Sequence, residues 1–155
     1  MADLLVKLYE LPPGEATLPG TTVRRAMAYE KHLVIEWARA NFGEGWASEC
    51  DVAFGNQPIS CRIAVERGEV VGFACYDATC RGFFGPIGVA GGARRRGIGR
   101  ALLLSTLHAM SAAGYAYAVV GGAGEPEFYT QTVGAIEIPG STPGIYRDRL
   151  KAPHP

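Results

Sequence analysis

The sequence lacks three features that mark common classes of protein: a long apolar run, an excess of charge of one sign, and closely paired cysteines. No run approaches the ~20 apolar residues that a membrane-spanning helix needs. Lys plus Arg number 15 and Asp plus Glu number 15, so the large positive excess of a general nucleic-acid binder is missing. We therefore expect neither a membrane nor a nucleic acid as a partner.

The four cysteines, at positions 50, 61, 75 and 80, have no CxxC spacing and no nearby histidine that would complete a zinc set. We therefore expect no metal. The N-terminus has no basic start and no long apolar run, so it does not fit a secretory signal. We expect a cytoplasmic protein, where disulfides are rare, and interpret the cysteines as small, mostly buried hydrophobic residues.

Apolar residues, by contrast, are plentiful, at 48% of a chain of 155 residues. This composition can form a core, and the length predicts a single domain over residues 1–155. The 21 glycines indicate tight turns or places where a ligand approaches the backbone. We interpret His32 and His108 as structural or surface residues of helices, and His154 as part of a frayed tail.

Hydrophobic periodicity predicts a mixed order of strands and helices. The strands are expected over 3–9, 59–66, 69–76, 83–89, 115–120, 135–138 and 145–150, and the helices over 23–41, 45–54, 98–113 and 127–133. Arg67-Gly68 is a tight hairpin turn. The strand–helix–strand unit over 83–120 implies a parallel pair inside a mixed sheet, which is an α/β fold of the α+β type.

The loop between the strand over 83–89 and the helix over 98–113 carries the most chemical information. A helix start offers unpaired N–H groups and the positive end of the helix dipole. Gly97 and Gly99 let a ligand approach this backbone, and four arginines add charge and forked donors: Arg94, Arg95, Arg96 and Arg100. Together these residues predict a phosphate-binding site.

The spacing of this loop decides between phosphate-binding motifs. A P-loop needs a Gly-Lys pair, which is missing, and a dinucleotide fingerprint needs a third glycine where Leu102 stands. The loop instead resembles the pyrophosphate-binding motif [Q/R]xxGx[G/A] of the GNAT-type N-acetyltransferases, with Arg94, Gly97 and Gly99 at its fixed positions. The order of elements and the pair Phe128-Tyr129, followed by Gly134-Ala135, extend the resemblance over most of the chain.

The resemblance implies a single-domain fold with a mixed, mostly antiparallel sheet, a central parallel pair splayed at the cofactor site, and helices on both faces. It implies acetyl-CoA as co-substrate and transfer of the acetyl group to a primary amine, on a small molecule or a peptide, by direct attack in a ternary complex. By the same analogy the N–H of Val89 polarises the thioester carbonyl, and the Tyr129 hydroxyl donates a hydrogen bond or a proton to the departing CoA sulfur. The residues expected to bind the cofactor are Ile87, Gly88, Val89, Arg94, Arg95, Arg96, Gly97, Ile98, Gly99 and Arg100.

The sequence leaves the general base and the acceptor open. The main candidates for the base are Glu49, on the short helix expected to border the acceptor, and Glu125, just past the strand over 115–120; Asp77 and Glu127 are further carboxylates. The segment over 41–46 is either a loop that walls the acceptor site or a plain connection. Self-association into a homodimer also stays open.

The sequence departs from the family pattern at two positions. Gly122 stands where the family often has Asn, and Pro126 where it often has Ala, which affects expected contacts to the pantetheine arm. These departures and the unassigned base leave one alternative function, a non-catalytic sensor module that binds CoA or acyl-CoA. A nucleic-acid-binding protein that uses the arginines is disfavoured by the charge balance.

Overall fold

The computed structural model describes residues 1–14 and 18–153, and within them seven strands form one sheet. The strands are β1 (Leu4–Lys7), β2 (Thr22–Arg25), β3 (Cys61–Glu66), β4 (Glu69–Tyr76), β5 (Phe83–Val89), β6 (Tyr117–Val120) and β7 (Ile136–Glu137). Their order across the sheet is β2-β3-β4-β5-β6-β1-β7. In this part of the chain β5 and β6 are parallel and the other neighbours are antiparallel, as predicted.

Helices cover both faces of the sheet. They are α1 (Lys31–Phe42), α2 (Glu44–Phe54), α3 (Ile98–Ala112) and α4 (Pro126–Val133). The cluster of buried residues under α1 and α2 includes Val34, Cys50 and Phe73, whereas the cluster under α3 and α4 includes Leu102 and Tyr129. The predicted two-sided arrangement is therefore confirmed. Within 1–14 and 18–153, no helix is long and apolar enough to cross a membrane.

The central helix α3 is the most buried element, as its run of leucines predicts. Leu102, Leu103, Leu104 and Leu107 are each 0% exposed. Full burial of one such side chain contributes about 1.5–3 kcal/mol. This packing fixes α3 against β3, β4 and β5, so the start of the helix has a defined position relative to the end of β5.

The β3–β4 hairpin forms at the predicted turn. Arg67 and Gly68 have φ of 51° and 75°, the left-handed values that a two-residue type I′ turn requires. Gly68 adopts this conformation at no steric cost.

The predicted helix over 23–41 is wrong in its first part. Residues 22–25 form β2, which pairs antiparallel with β3, and α1 begins only at Lys31. Thr21, Thr22 and Val23 are β-branched and favour a strand once the edge of β3 is available. Helical spacing of Val23 and Met27 was outweighed by this tertiary pairing.

The predicted last strand over 145–150 is also wrong. Residues 144–146 form a 3-10 turn, and no strand follows β7 in the described part of the chain. Gly144 has φ of 58°, a left-handed value that interrupts an extended segment. His154 lies outside the described residues.

Candidate active site

A gap opens in the sheet where β5 separates from β6. The two strands are paired only at Phe83↔Val119 and Phe84↔Val120. Beyond Phe84 two residues, Gly85 and Pro86, lie opposite one residue of β4, because Ala74 pairs with Ile87 and Tyr76 with Phe84. This bulge bends β5 away, and Pro86 has no N–H to offer a ladder. We call the resulting gap, between residues 85–89 and the end of β6, the splay.

Backbone donors of β5 line the splay. The N–H of Ala90 donates to the carbonyl oxygen of Val71 on β4 at 2.9 Å. Because hydrogen-bond direction alternates along an antiparallel strand, the N–H groups of Ile87 and Val89 point away from β4 and into the splay. The sequence-predicted Val89 therefore has the orientation that an extended ligand between the strands would need.

The Gly/Arg loop leads from the splay to the start of α3. Gly97 is the N-cap of α3 with φ of 83°, and Arg95 also has a positive φ, of 65°. The first N–H groups of a helix have no acceptor within the helix. A Cβ on Gly99 would lie 3.8 Å from Val89 and 3.9 Å from Phe128, so the end of β5, the start of α3 and α4 meet here.

The arginines of this loop have different partners. Arg94 donates from Nε to the carbonyl oxygen of Val89 at 3.2 Å. Arg96 forms an ion pair with Glu66, which also accepts a hydrogen bond from the Thr21 hydroxyl. The hydrogen bond from Arg96 lowers the pKa of Glu66, so the carboxylate stays charged and compensates Arg96. Arg95 is exposed.

Tyr129 lies beside the splay on the α4 side. Its side chain is 7% exposed and packs edge-on against Phe84, at 6.1 Å between ring centroids, and Phe128, at 5.1 Å. Burial, with a smaller contribution from the charge of Glu125, raises the pKa of Tyr129 to about 12. The Tyr129 hydroxyl is therefore protonated at neutral pH and can donate a hydrogen bond. Glu125 is exposed and occupies the N-cap of α4.

Aromatic side chains from α1 and α2 cover the other side of β5. A Cβ on Gly88 would lie 2.5 Å from the ring of Phe42, so this glycine makes room for the ring. Phe42 also packs against Trp46 at 4.8 Å. The predicted loop over 41–46 is wrong: Phe42 and Trp46 belong to helices, and the connection is Gly43 alone, with φ of 97°.

The carboxylates that sequence analysis named lie in different environments. Glu49, on α2 and half-buried, accepts a hydrogen bond from the Thr79 hydroxyl. Asp77 accepts from the Tyr115 hydroxyl and from the N–H of Gly82, both at 2.7 Å, which is a structural role at the β4–β5 turn. Glu49 and the aromatic pair Phe42–Trp46 are on the same side of the sheet.

The site contains one side chain that sequence analysis missed. A Cβ on Gly121 would collide with the Tyr146 hydroxyl and would lie 3.0 Å from the ring of Phe83. The Tyr146 hydroxyl therefore lies directly over the residue that follows β6, where the splay begins. The double glycine at 121–122 was the signal for a close approach here, but it does not say which residue approaches.

Three thiols meet under α2, although their sequence spacing fits no motif. The Sγ atoms of Cys50, Cys61 and Cys75 lie within 4.8 Å of one another, and all three residues are 0% exposed. Hydrogen bonds from the other two thiols lower the pKa of Cys50 to about 5, and burial raises that of Cys75. Burial of these three confirms their interpretation as core residues, whereas Cys80 is exposed.

A cavity of about 920 Å³ lies elsewhere, between β2, β3 and α3. Its polar lining includes Arg25, Arg62, Ser105 and His108. None of the residues that line the splay contributes to it, so the cavity is separate from the site described above.

A mixed sheet with one splayed parallel pair and a Gly/Arg helix start defines the class of fold. The sequence model of the acetyltransferase (GNAT) family matches residues 31–134. The chain therefore belongs to the acetyltransferase (GNAT) family. The match leaves out β1, β2 and β7.

Solved structures with the same fold share little sequence with the chain. A GCN5-related N-acetyltransferase from Sphaerobacter thermophilus is 20% identical, with a TM-score of 0.67 over 88% of this chain and 48% of that chain. A glucosamine N-acetyltransferase region of a fungal multi-domain β-N-acetylglucosaminidase is 15% identical, with a TM-score of 0.71 over 88% of this chain and 19% of that chain. A GNAT acetyltransferase from Brucella melitensis, in complex with acetyl-CoA, is 18% identical, with a TM-score of 0.56 over 70% of this chain and 80% of that chain.

The first two of these proteins are much longer than the present chain, which spans about half of one and a fifth of the other. No curated protein matches the sequence. Below 25% identity these likenesses establish the fold alone.

Proposed function

We propose that the protein transfers an acetyl group from acetyl-CoA to a primary amine, on a small molecule or a peptide, by direct attack in a ternary complex. One observation carries the proposal: β5 leaves β6 after Phe84, and the N–H groups of Ile87 and Val89 point into the gap. Such a gap lets an extended amide-containing arm pair with a strand inside a protein. The pantetheine arm of CoA is of this kind.

The pyrophosphate of CoA would bind at the start of α3. Gly97, Ile98, Gly99 and Arg100 present backbone N–H groups there, and the positive φ of Arg95 and Gly97 shapes the loop around an anion. Ile98 is 1% exposed and anchors this helix start in the core. Arg94 and Arg95 would add charge from the solvent side. The Brucella melitensis acetyltransferase, which was solved with acetyl-CoA, has the same fold.

The amine must lose a proton before its nitrogen attacks the thioester carbon. An alkyl ammonium with a pKa near 10.4 costs roughly 4 kcal/mol to deprotonate at neutral pH. Among the named carboxylates we assign Glu49 as the general base. It lies on the side of the sheet covered by α1 and α2, which we call the acceptor side, and the Thr79 hydroxyl donates a hydrogen bond to it. Glu125, on the α4 side, acts instead on the pKa of Tyr129.

The charges that develop during the reaction indicate roles for Val89 and Tyr129. As the nitrogen–carbon bond forms, the carbonyl oxygen gains negative charge, which a backbone N–H of Val89 would stabilise. As the carbon–sulfur bond breaks, the CoA sulfur becomes a thiolate, which Tyr129 would stabilise from the α4 side. Full proton transfer from a phenol of pKa about 12 to a thiolate of pKa ~8.5 is uphill by about 5 kcal/mol. Tyr129 therefore acts as a hydrogen-bond donor, and solvent supplies the final proton.

Calorimetry with acetyl-CoA and an assay of thiol release test this proposal. We expect acetyl-CoA to bind with micromolar affinity that weakens with salt, because ionic contacts are screened. We also expect thiol release that depends on added amine. Binding without turnover over a panel of polyamines, aminoglycosides, amino acids and peptides would favour the sensor function, and no binding would overturn both functions.

A further inference from the structure

The cavity of about 920 Å³ between β2, β3 and α3 has two arginines on its sheet side. Arg25 and Arg62 are directly opposite each other in the antiparallel pairing of β2 with β3. Directly paired residues point to the same face of a sheet, with Cβ atoms about 4.5–5.5 Å apart. Both residues line the cavity, so two guanidinium groups lie close together at its wall.

These two positive charges lack a negative partner at the cavity wall. Of the described residues that line the cavity, none is acidic. The Nε atom of Arg62 is buried and has no hydrogen-bond partner within residues 1–14 and 18–153. Burial, together with the charge of Arg25, lowers the pKa of Arg62. Because a guanidinium keeps its charge at neutral pH, the wall holds two like charges that repel each other.

The neighbouring arginine of β2 is compensated. Arg24 lies between Val23 and Arg25 on the strand, so its side chain points to the opposite face of the sheet. It donates two hydrogen bonds to the carboxylate of Glu30, at 2.9 and 2.6 Å. In the described part of the chain, a carboxylate therefore meets the arginine outside the cavity, and none meets the two inside it.

The α3 side of the cavity is apolar and open. The residues of α3 that line it at a spacing of three or four are small: Ala101, Ser105, Ala109 and Ala112. His108 also lines it, but its Nε2 donates to the carbonyl oxygen of Pro12 at 2.7 Å, so this nitrogen is already used. The volume is within the range of roughly 300–1,000 Å³ that small-molecule sites occupy.

We propose that this cavity is a second ligand site, which binds a small organic anion with an apolar body, either a carboxylate or a phosphate ester. The forked donors of Arg25 and Arg62 would hold the anionic head, which supplies the missing negative charge. The apolar body would lie against the small residues of α3. The site is separate from the splay and does not depend on the function proposed above.

Three substitutions test the two parts of this site. Arg25→Gln and Arg62→Met each remove one charge, and methionine keeps an unbranched apolar chain in place of the arginine stem. Ala109→Leu fills part of the space for the apolar body. Arg147→Gln is the control for charge, and Ser111→Leu is the control for size on the same helix, because both residues are exposed and lie outside the cavity lining.

The probes are octanoate and octyl phosphate, with octan-1-ol and inorganic phosphate as the body and the head alone. We expect calorimetry to give a Kd below about 1 mM for at least one of the two anions, and roughly tenfold weaker binding of octan-1-ol and inorganic phosphate. Arg25→Gln, Arg62→Met and Ala109→Leu should each weaken binding of the anion about tenfold or more. The two control variants should bind as the wild-type protein does.

The stability of the protein without ligand separates a binding role of Arg62 from a structural one. Removal of one of two opposed like charges should raise the Tm of Arg62→Met by about 1–4 °C. If Arg62 instead stabilises the fold, its Tm should fall. Added octanoate or octyl phosphate should raise the Tm of the wild-type protein more than that of Arg62→Met.

The outcomes that would overturn the inference differ from those that test acetyl transfer. If neither anion binds, or if Arg62→Met binds both as tightly as the wild-type protein, the cavity is not an anion site. If acetyl-CoA displaces the bound anion competitively, the cavity belongs to the cofactor site, and the inference fails while the proposed function stands. If the anion binds and acetyl-CoA does not, the proposed function fails and the inference stands.

Discussion

The two sides of the splay are built in different ways. On the cofactor side, the groups expected to bind CoA come from one continuous stretch, residues 87–100, and most are backbone N–H groups. On the acceptor side, the Tyr146 hydroxyl and the ring of Phe83 meet over Gly121 although they are far apart in the chain, and hydrogen bonds to Asp3 hold the segments that carry Gly121 and Tyr146. A backbone site depends on local conformation, whereas a side-chain site depends on the whole fold.

This difference has a chemical consequence. The cofactor side can bind the same molecule in many proteins because N–H groups and glycines are largely independent of side-chain identity. The acceptor side can change its ligand through single side chains. Substitutions on the two sides should therefore affect different kinetic constants, and the predictions below test that separation, from the largest expected effect to the smallest.

Gly97→Val should have the largest effect on the cofactor side. Gly97 has φ of 83°, which a β-branched residue adopts only with strain, so the substitution should distort the helix start that we expect to bind the phosphates. We expect acetyl-CoA affinity to fall roughly 100-fold, or about 2.7 kcal/mol. Calorimetry with acetyl-CoA measures the effect.

Gly92→Val is the control for this substitution. Gly92 lies in the same loop, has no positive φ, and has open space around its Cβ position. The Gly92→Val protein should bind acetyl-CoA nearly as well as the wild-type protein does. A folded Gly97→Val protein with normal affinity would mean that the ligand does not approach this backbone.

Tyr129→Phe should reduce turnover and leave cofactor affinity nearly unchanged. The ring and its packing against Phe84 and Phe128 stay, but the donor to the departing thiolate is lost. A hydrogen bond to a charged group contributes about 1.5–3 kcal/mol, so kcat should fall about 10- to 150-fold. Steady-state rates with any accepted amine measure it.

Tyr115→Phe is the comparison for Tyr129→Phe. It removes the hydrogen bond to Asp77 and should lower Tm while kcat stays the same. If Tyr129→Phe behaves in the same way, Tyr129 is a packing residue and does not stabilise the departing thiolate.

The alkaline stability of the fold should also depend on Tyr129. Its pKa is about 12 in the folded protein and ~10 when unfolded, so the unfolded chain loses this proton first as pH rises. The contribution of Tyr129 to the free energy of unfolding should therefore be fully present below pH ~10. As the pH rises to ~12, the free energy of unfolding should fall by about 2–3 kcal/mol. Denaturant titrations across this window should show a smaller loss for Tyr129→Phe. Equal losses would mean that the phenol is not buried.

Sequence could predict the elements on the cofactor side because the information that places them is local. The strand that ends at Val89, the loop with Arg94 and the helix that starts at Ile98 follow one another, and periodicity located them within a residue. The acceptor side could not be predicted in the same way. Tyr146 was assigned to a last strand over 145–150, and nothing in the sequence marks Asp3, 138 residues away, as the partner of Ser141.

The errors elsewhere have the same origin. The helix predicted over 23–41 failed where the edge of β3 offered pairing to residues 22–25, which is a long-range contact. The position of β1 between β6 and β7, rather than beside β2, is likewise decided by packing. The extent of the domain, residues 1–155, stays a prediction.

Glu66→Gln should have the smallest effect and the opposite sign. Arg96 is now compensated by Glu66, and the substitution removes that charge while the side chain keeps its shape. We expect acetyl-CoA affinity to rise severalfold and its salt dependence to steepen, since one more cation faces the phosphates. Calorimetry at two salt concentrations measures both. A fall in affinity would mean that the ion pair holds Arg96 in its binding position.

The proposed function requires both substrates to be bound at the splay before the acetyl group moves. The most direct test is a matrix of initial rates in which acetyl-CoA and an accepted amine are varied together. Direct attack in a ternary complex predicts double-reciprocal lines that intersect. Parallel lines would indicate an acetylated enzyme intermediate, for which Cys80 offers an exposed thiol, and would contradict the account.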